Sequence, residues 1–294
     1  MRTIIAQVIL LLCFAQTSAQ VKIWHRYKPG MKYTFEYTKS KDEGTGTTSP
    51  SNLTPFYLSI DKEDAGGIHA TWKIGPTVIS GLSEAEKKEL EPYLNFNKDF
   101  QVKITLDKEG SLIAVDNYDE CVAHIRSVSN LLLPLFGDSG AGKMDEMIDR
   151  LSEDVETFLR VFFPEIRMYF DIYANSWSNG VYYIEEDVME IAGMGSKIPF
   201  ESTVTVNNIP SKKMEVNLDQ VYNKSVLENA KAQSAGDPQP WFSGSSLPDD
   251  IELKIATNYK MNPTSRMVES LTLRKSVSSG GKTDTELITF VLKK

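Results

Sequence analysis

The hydrophobic period of this chain changes twice, and those changes limit its fold more than any other feature. Over residues 32–39, Tyr33, Phe35 and Tyr37 alternate with Lys32, Thr34, Glu36 and Thr38, the two-residue period of a half-buried strand. Residues 56–61 and 68–74 read as two further strands joined by a charged turn that ends in Gly66-Gly67. Residues 100–106 and 111–115 flank Asp107-Lys108-Glu109-Gly110 in the same way. Between these pairs, residues 83–94 form a short acidic helix, with Ser83 and Glu86 at capping-box spacing.

From Asn117, placed as a helix cap, the period becomes helical. Val122, Ile125, Val128, Ser129 and Leu132 share a face of a helix expected to end near Pro134. Met144, Met147, Ile148, Leu151, Val155, Phe158, Leu159 and Phe162 then trace the strongest helical stripe in the chain, opposed by Glu146, Asp149, Glu153 and Glu156. Pro164 breaks the stripe, and Ile166, Tyr169, Phe170 and Tyr173 continue it for a further turn or two. Strands return at 181–188, 200–206, 214–221, 251–259, 267–275 and 285–292, all enriched in β-branched and aromatic residues. Residues 226–233 read as a short helix. Residues 41–51 and 234–250 read as flexible loops, the second carrying Trp241-Phe242.

Strands, then helices, then strands predict an α+β fold, a large curved antiparallel sheet packed on a central helical layer. The stripe through 144–162 needs an apolar surface to cover, and the sheet is the only large one available. A sheet of about ten strands curls rather than lies flat. Neither an internal repeat nor a shift in composition divides the chain, so one domain is expected over residues 20–294.

Residues 1–19 carry a basic start at Arg2, an uncharged apolar run from Ile4 to Phe14, and Thr17-Ser18-Ala19 before Gln20. This is the anatomy of a secretory signal peptide, too short to span a bilayer. It predicts an exported, soluble protein, periplasmic or extracellular. Lipid attachment at Cys13 is the competing reading of the same segment, although Leu12 is larger than the residue that normally precedes such a cysteine. After removal of the leader, 31 Lys and Arg remain against 40 Asp and Glu. That acidic balance argues against a nucleic-acid partner, which needs a basic footprint. Cys121 is the one cysteine left, so an internal disulfide is impossible and packing must stabilise the fold. No later apolar run reaches the length of a transmembrane helix.

Several stretches imitate catalytic motifs. Residues 137–144 have the Gly and Lys spacing of a phosphate-binding loop, but Met144 stands where Ser or Thr must hold Mg²⁺. Gly137-Asp138-Ser139-Gly140 resembles a serine-protease nucleophile segment, yet the three histidines, His25, His69 and His124, do not fall where such a triad draws its base. Three scattered histidines and one thiol show no metal-ligand spacing, so neither a metal nor a cofactor is expected. Glu185 with Asp187, and Glu186 with Glu190, share strand faces and leave a carboxylate-dependent hydrolase as the one open enzymatic reading.

The segments Thr17-Ser18-Ala19-Gln20, Phe100 to Gly110 and Val115-Asp116-Asn117-Tyr118-Asp119 resemble uncharacterised exported proteins of Bacteroidota-type bacteria. The expected architecture is also similar to periplasmic lipoprotein-carrier folds, a resemblance that implies acyl chains held between sheet and helices. A methionine-containing stripe facing a curved sheet can leave apolar space. Met144, Met147, Leu151, Phe158 and Phe162 are therefore the candidate lining of a site for a lipid or other apolar ligand. The alternative is a structural or protein-interaction module of the cell envelope, using a sheet edge or residues 234–250.

Overall fold

Period-two patterning builds one open antiparallel sheet. The computed structural model describes residues 20–42, 51–136, 141–173, 176–190, 197–222 and 252–293. The leader, residues 137–140 of the phosphate-loop imitation, most of the predicted loop 41–51, the predicted helix 226–233 and the loop 234–250 lie outside the described residues.

The N-terminal strands are β1 (Gln20–Lys22), β2 (Lys32–Asp42), β3 (Asn52–Asp64), β4 (Gly67–Ile74), β5 (Val78–Ile79), β6 (Gln101–Leu106) and β7 (Leu112–Val115). The helices are α1 (Glu84–Leu94), α2 (Tyr118–Phe136), α3 (Ala141–Leu151), α4 (Val155–Phe162) and α5 (Pro164–Phe170). The C-terminal strands are β8 (Ser176–Ser178), β9 (Gly180–Glu190), β10 (Lys197–Ile209), β11 (Lys213–Tyr222), β12 (Glu252–Met261), β13 (Val268–Ser279) and β14 (Lys282–Lys293). The large sheet runs β7-β6-β4-β3-β2-β14-β13-β12-β11-β10-β9, with β5 added beside β3. The two ends of the path do not pair, so the sheet is not closed. Its N- and C-terminal halves join where β2 pairs β14, with Phe35 opposite Leu292 and Tyr37 opposite Phe290. The short β1–β8 pair stands apart, and its three-residue strands carry too little periodicity to read from sequence.

The two faces of the sheet differ in chemistry. One row crosses seven strands as Val206, Val216, Tyr259, Leu271, Phe290, Tyr37 and Thr54. The adjacent row on the opposite face reads Asn217, Asn258, Thr272, Thr289 and Thr38. Those polar side chains bond to one another, Asn258 to Asn217 and Thr38 to Thr289. The first row faces the core and the second faces solvent, as alternation along a strand requires.

Helix ends follow local chemistry. The capping box of α1 is present: the Ser83 amide donates to Glu86 Oε2 at 2.8 Å, and the Ser83 side chain accepts from the Glu86 amide at 3.4 Å. The continuous stripe expected over 144–162 is two helices. Asp154 accepts from the Thr157 amide at 2.8 Å and caps α4, so residues 152–154 turn the chain before it restarts. Asn117 also acts differently from expectation. Its side chain accepts from the Lys103 amide at 2.8 Å and donates to the Gln101 carbonyl at 3.0 Å, tying the start of α2 to β6 instead of capping the helix. Helix α2 continues to Phe136, two residues past Pro134. Pro164 behaves as expected, opening α5 at a position where its missing N–H costs nothing.

An aromatic cluster joins α5 to the middle of the sheet. Trp72 stacks on Phe290 at 5.7 Å, Phe35 lies 4.7 Å from Phe290, and Tyr169 sits 4.9 Å from Phe35. Hydroxyl groups fix the same helix and the turn after it: Tyr259 donates to the Met168 carbonyl at 3.1 Å, and Tyr173 accepts from the Val268 amide at 2.9 Å. The segment after β1 is held by the β6–β7 turn, where the His25 amide donates to the Glu109 carbonyl at 2.9 Å. Gly110 in that turn has φ +94°, and a Cβ there would stand 2.8 Å from the His25 carbonyl oxygen. No other residue fits so close an approach.

Replacing Phe290 with Ala is expected to cost about 3–5 kcal/mol. Replacing Thr272 with Ala on the solvent face should cost less than about 1 kcal/mol. Urea unfolding of the two variants measures the contrast.

Candidate functional site

The core-facing side of the sheet extends further than the side chains that bury it. In the row through Tyr259, Leu271 and Phe290, every one of these side chains is buried. The next row is Leu218, Thr257, Leu273, Ile288 and Lys39; Thr257 and Ile288 are still buried, whereas Leu218 and Leu273 are half-buried and Lys39 is exposed. Beyond it come Gln220, Ile255, Lys275, Glu286 and Lys41, then Leu253, Val277 and Asp284. Ile255 and Leu253 are half-buried, and Val277 is 42% exposed. Apolar side chains that belong by parity to the core thus come to the surface toward one end of β11–β14. A mixed row of lysines and one glutamate runs through them.

A buried acid marks the covered side of this boundary. Glu165, in the first turn of α5, is buried, and burial pushes its carboxyl up to about 7. Tyr37, in the same row as Leu271 and Phe290, has its phenol pushed up by burial first, then by Glu165 and Glu286. Asp171, at the other end of the helix, is pushed up to about 6 by burial, against the opposing effect of Arg167, whose Nη2 lies 2.9 Å away. Glu165 lacks a sequence signature, because a glutamate after a proline ordinarily marks a solvated first helical turn.

The three histidines are engaged separately. His25 is buried, its Nδ1 lies 2.8 Å from the Ser265 carbonyl oxygen, and burial lowers its pKa. His124 stacks on Phe100 at 3.8 Å, with Nε2 2.8 Å from Asn97 Oδ1. His69 lies between two carboxylates, Nδ1 3.1 Å from Asp116 and Nε2 3.0 Å from Asp64. Both of its ring nitrogens are engaged, and the two carboxylates favour the protonated ring, which is a poor general base. Cys121 is buried, and burial pushes its thiol up to about 12, far from the reactive thiolate. Among the described residues, no group of three or more His, Cys, Asp or Glu side chains is placed to hold a metal ion.

The five candidate lining residues fall on two helices. Met144 and Met147 lie in α3; the side chain of Met144 is outside the described set, and Met147 is half-buried. Leu151 is buried at the end of α3. Phe158 is fully buried, 5.1 Å from Tyr118 and 4.9 Å from Phe162, and Phe162 packs partly buried against the same core. The structure therefore brings Phe158 and Phe162 together. Two clefts have other linings. One of about 580 Å³ lies over the polar side chains Lys32, Ser59, Asp61, Thr71 and Lys73, and one of about 260 Å³ lies beside α1. The carboxylate pairs Glu185 with Asp187 and Glu186 with Glu190 lie on β9, and their side chains are outside the described set.

Two groups give opposite tests of pH dependence. The folded chain holds the Glu165 proton more tightly than the ordinary value of 4.5 allows. Its contribution to stability is complete below pH 4.5 and is lost as pH rises through about 7. Glu165→Gln is expected to abolish that loss and to unfold later than wild type at pH 8, by about 3 kcal/mol. His69 is raised above 6.5 by its hydrogen bonds to Asp116 and then Asp64. Its contribution is present below pH 6.5 and disappears as pH rises through its higher folded value, so His69→Gln should destabilise the chain at pH 5.5 and not at pH 9. Urea midpoints across pH 4–9 separate the two.

No family model matches the chain, and no curated protein sequence matches it. Two solved structures are similar in outline. A structure concerning lipid–protein interactions in lipovitellin is 8% identical over 92% of this chain and 26% of that one, with a TM-score of 0.44. A protein of Bacteroides fragilis described as exported, with a YmcC-like fold, is 8% identical over 93% of this chain and all of that one, with a TM-score of 0.26. The chain spans about a quarter of the lipovitellin chain that it matches.

Proposed function

We propose that this is an exported, non-enzymatic protein that binds an apolar or amphipathic ligand between its sheet and its helices. One observation carries the reading: on the core-facing side of β11–β13, the apolar side chains Leu218, Leu273, Ile255, Leu253 and Val277 come toward the surface where burial declines. Apolar side chains that come to the surface on the inner face of a sheet gain by covering, about 25 cal/mol for each Å² removed from water. An acyl chain laid along these rows is continuous with the packed core on one side and meets charge on the other. Export follows from the leader, whose composition is that of a cleaved secretory signal.

A second reading is an envelope interaction module, favoured by β9, an eleven-residue strand at the end of the sheet path. An edge strand can take a partner strand through its backbone groups.

Native mass spectrometry of the mature protein after incubation with a lipid extract should show retained ligand. The double variant Leu253→Glu, Ile255→Glu should lose it while unfolding within about 1 kcal/mol of wild type, because both side chains are only half-buried. Retention unchanged in that variant would move the site elsewhere. A stoichiometric protein partner with no retained lipid would favour the edge-strand reading.

A further inference from the structure

Resting on that reading, we infer that the ligand carries a carboxylate head, as a long-chain fatty acid does, and that Lys39, Lys41 and Lys275 receive it. These three lysines share the core-facing side of the sheet with the emerging apolar rows. Lys275 and Lys41 stand opposite Glu286 from its two sides, and Lys39 is one row nearer the core.

Glu286 already shows what the cluster accepts. Lys39 Nζ lies 2.7 Å from one of its carboxylate oxygens, and Lys275 Nζ lies 3.9 Å from the other. A carboxylate at this position is therefore within reach of at least two ammonium groups. The lysines remain open to solvent, their side chains 45% and 46% exposed, so a second carboxylate can approach without first being stripped of water. Asp284, one row further out, and Lys282 at the end of the hairpin are the other charges of this face on β14. Among the described residues this face carries Lys39, Lys41, Lys275 and Lys282 together with Glu286 and Asp284.

Position argues as strongly as charge. A fatty acid has one negative end and a long apolar body, and both parts must be matched at a fixed separation. Leu273 lies one row nearer the core than Lys275, Ile288 stands opposite Lys39, Ile255 stands opposite Lys275, and Leu253 and Val277 lie one row further out. The head would rest where the row is charged, and the chain would lie along the apolar side chains beside it.

The experiment compares two probes of equal chain length, oleate and oleyl alcohol, by displacement of a fluorescent fatty-chain dye from the full mature protein. Oleate is expected to bind at least about tenfold more tightly than the alcohol, and its advantage should shrink with added salt. The double variant Lys39→Gln, Lys275→Gln should bring the two probes within about twofold by weakening oleate alone. Lys39→Arg should retain the preference, which separates charge from a change in folding. Equal affinities for the two probes in the wild type would overturn the carboxylate inference and leave the apolar site standing. Failure of both probes to displace the dye would overturn the site and the inference together.

Discussion

The packing of Tyr169 and Phe170 against Phe35, Trp72 and Phe290 decides where α5 lies on the sheet. An antiparallel sheet with one apolar face must cover that face or expose it to water. Here the aromatic cluster sits where β2 meets β14, the seam between the two halves of the chain. Tyr259 and Tyr173 extend the attachment to β12 and β13 through hydrogen bonds to and from the backbone. Burial is complete around that anchor and falls away along the strands from it. The half-exposed rows from Leu218 to Val277 are a consequence of the anchor's position, since a seven-residue helix can shield only part of so broad a face.

The same anchor explains the buried acid. Pro164 and Asp171 bound α5, and once Tyr169 and Phe170 are seated, the first turn must lie against Tyr37. Glu165 is carried into the interior with it. Burying an acid favours its neutral form, which places its titration at about 7. His69 shows the reverse arrangement. It lies near the surface, and hydrogen bonds to two carboxylates favour its charged form.

Much of the architecture was legible in single segments. The Tyr33-Phe35-Tyr37 alternation, the Ser83–Glu86 box, the turn at Asp107 to Gly110 and the break at Pro164 all express local rules, and each appears in the structure at its expected place. Other features needed distant partners. Asn117 has the residue type and position of a cap, but β6 offers its side chain two backbone groups that outcompete the helix end. The stripe through 144–162 keeps helical spacing across 152–154, so periodicity alone could not reveal the turn that Asp154 caps. Lys39 and Lys275 end predicted strands and Lys41 opens the predicted loop 41–51, and only the pairing through Glu286 sets the three side by side.

By itself the sequence determined most of the described secondary elements and the two-faced character of the strands, because these depend on residues within a few positions of one another. Tertiary structure alone decided that β2 would pair with β14, that Glu165 would be buried, and that an apolar surface would emerge beside a row of lysines. Those outcomes depend on which rows of a broad sheet a short helix can cover. That is a matter of size and placement, and no local period records it.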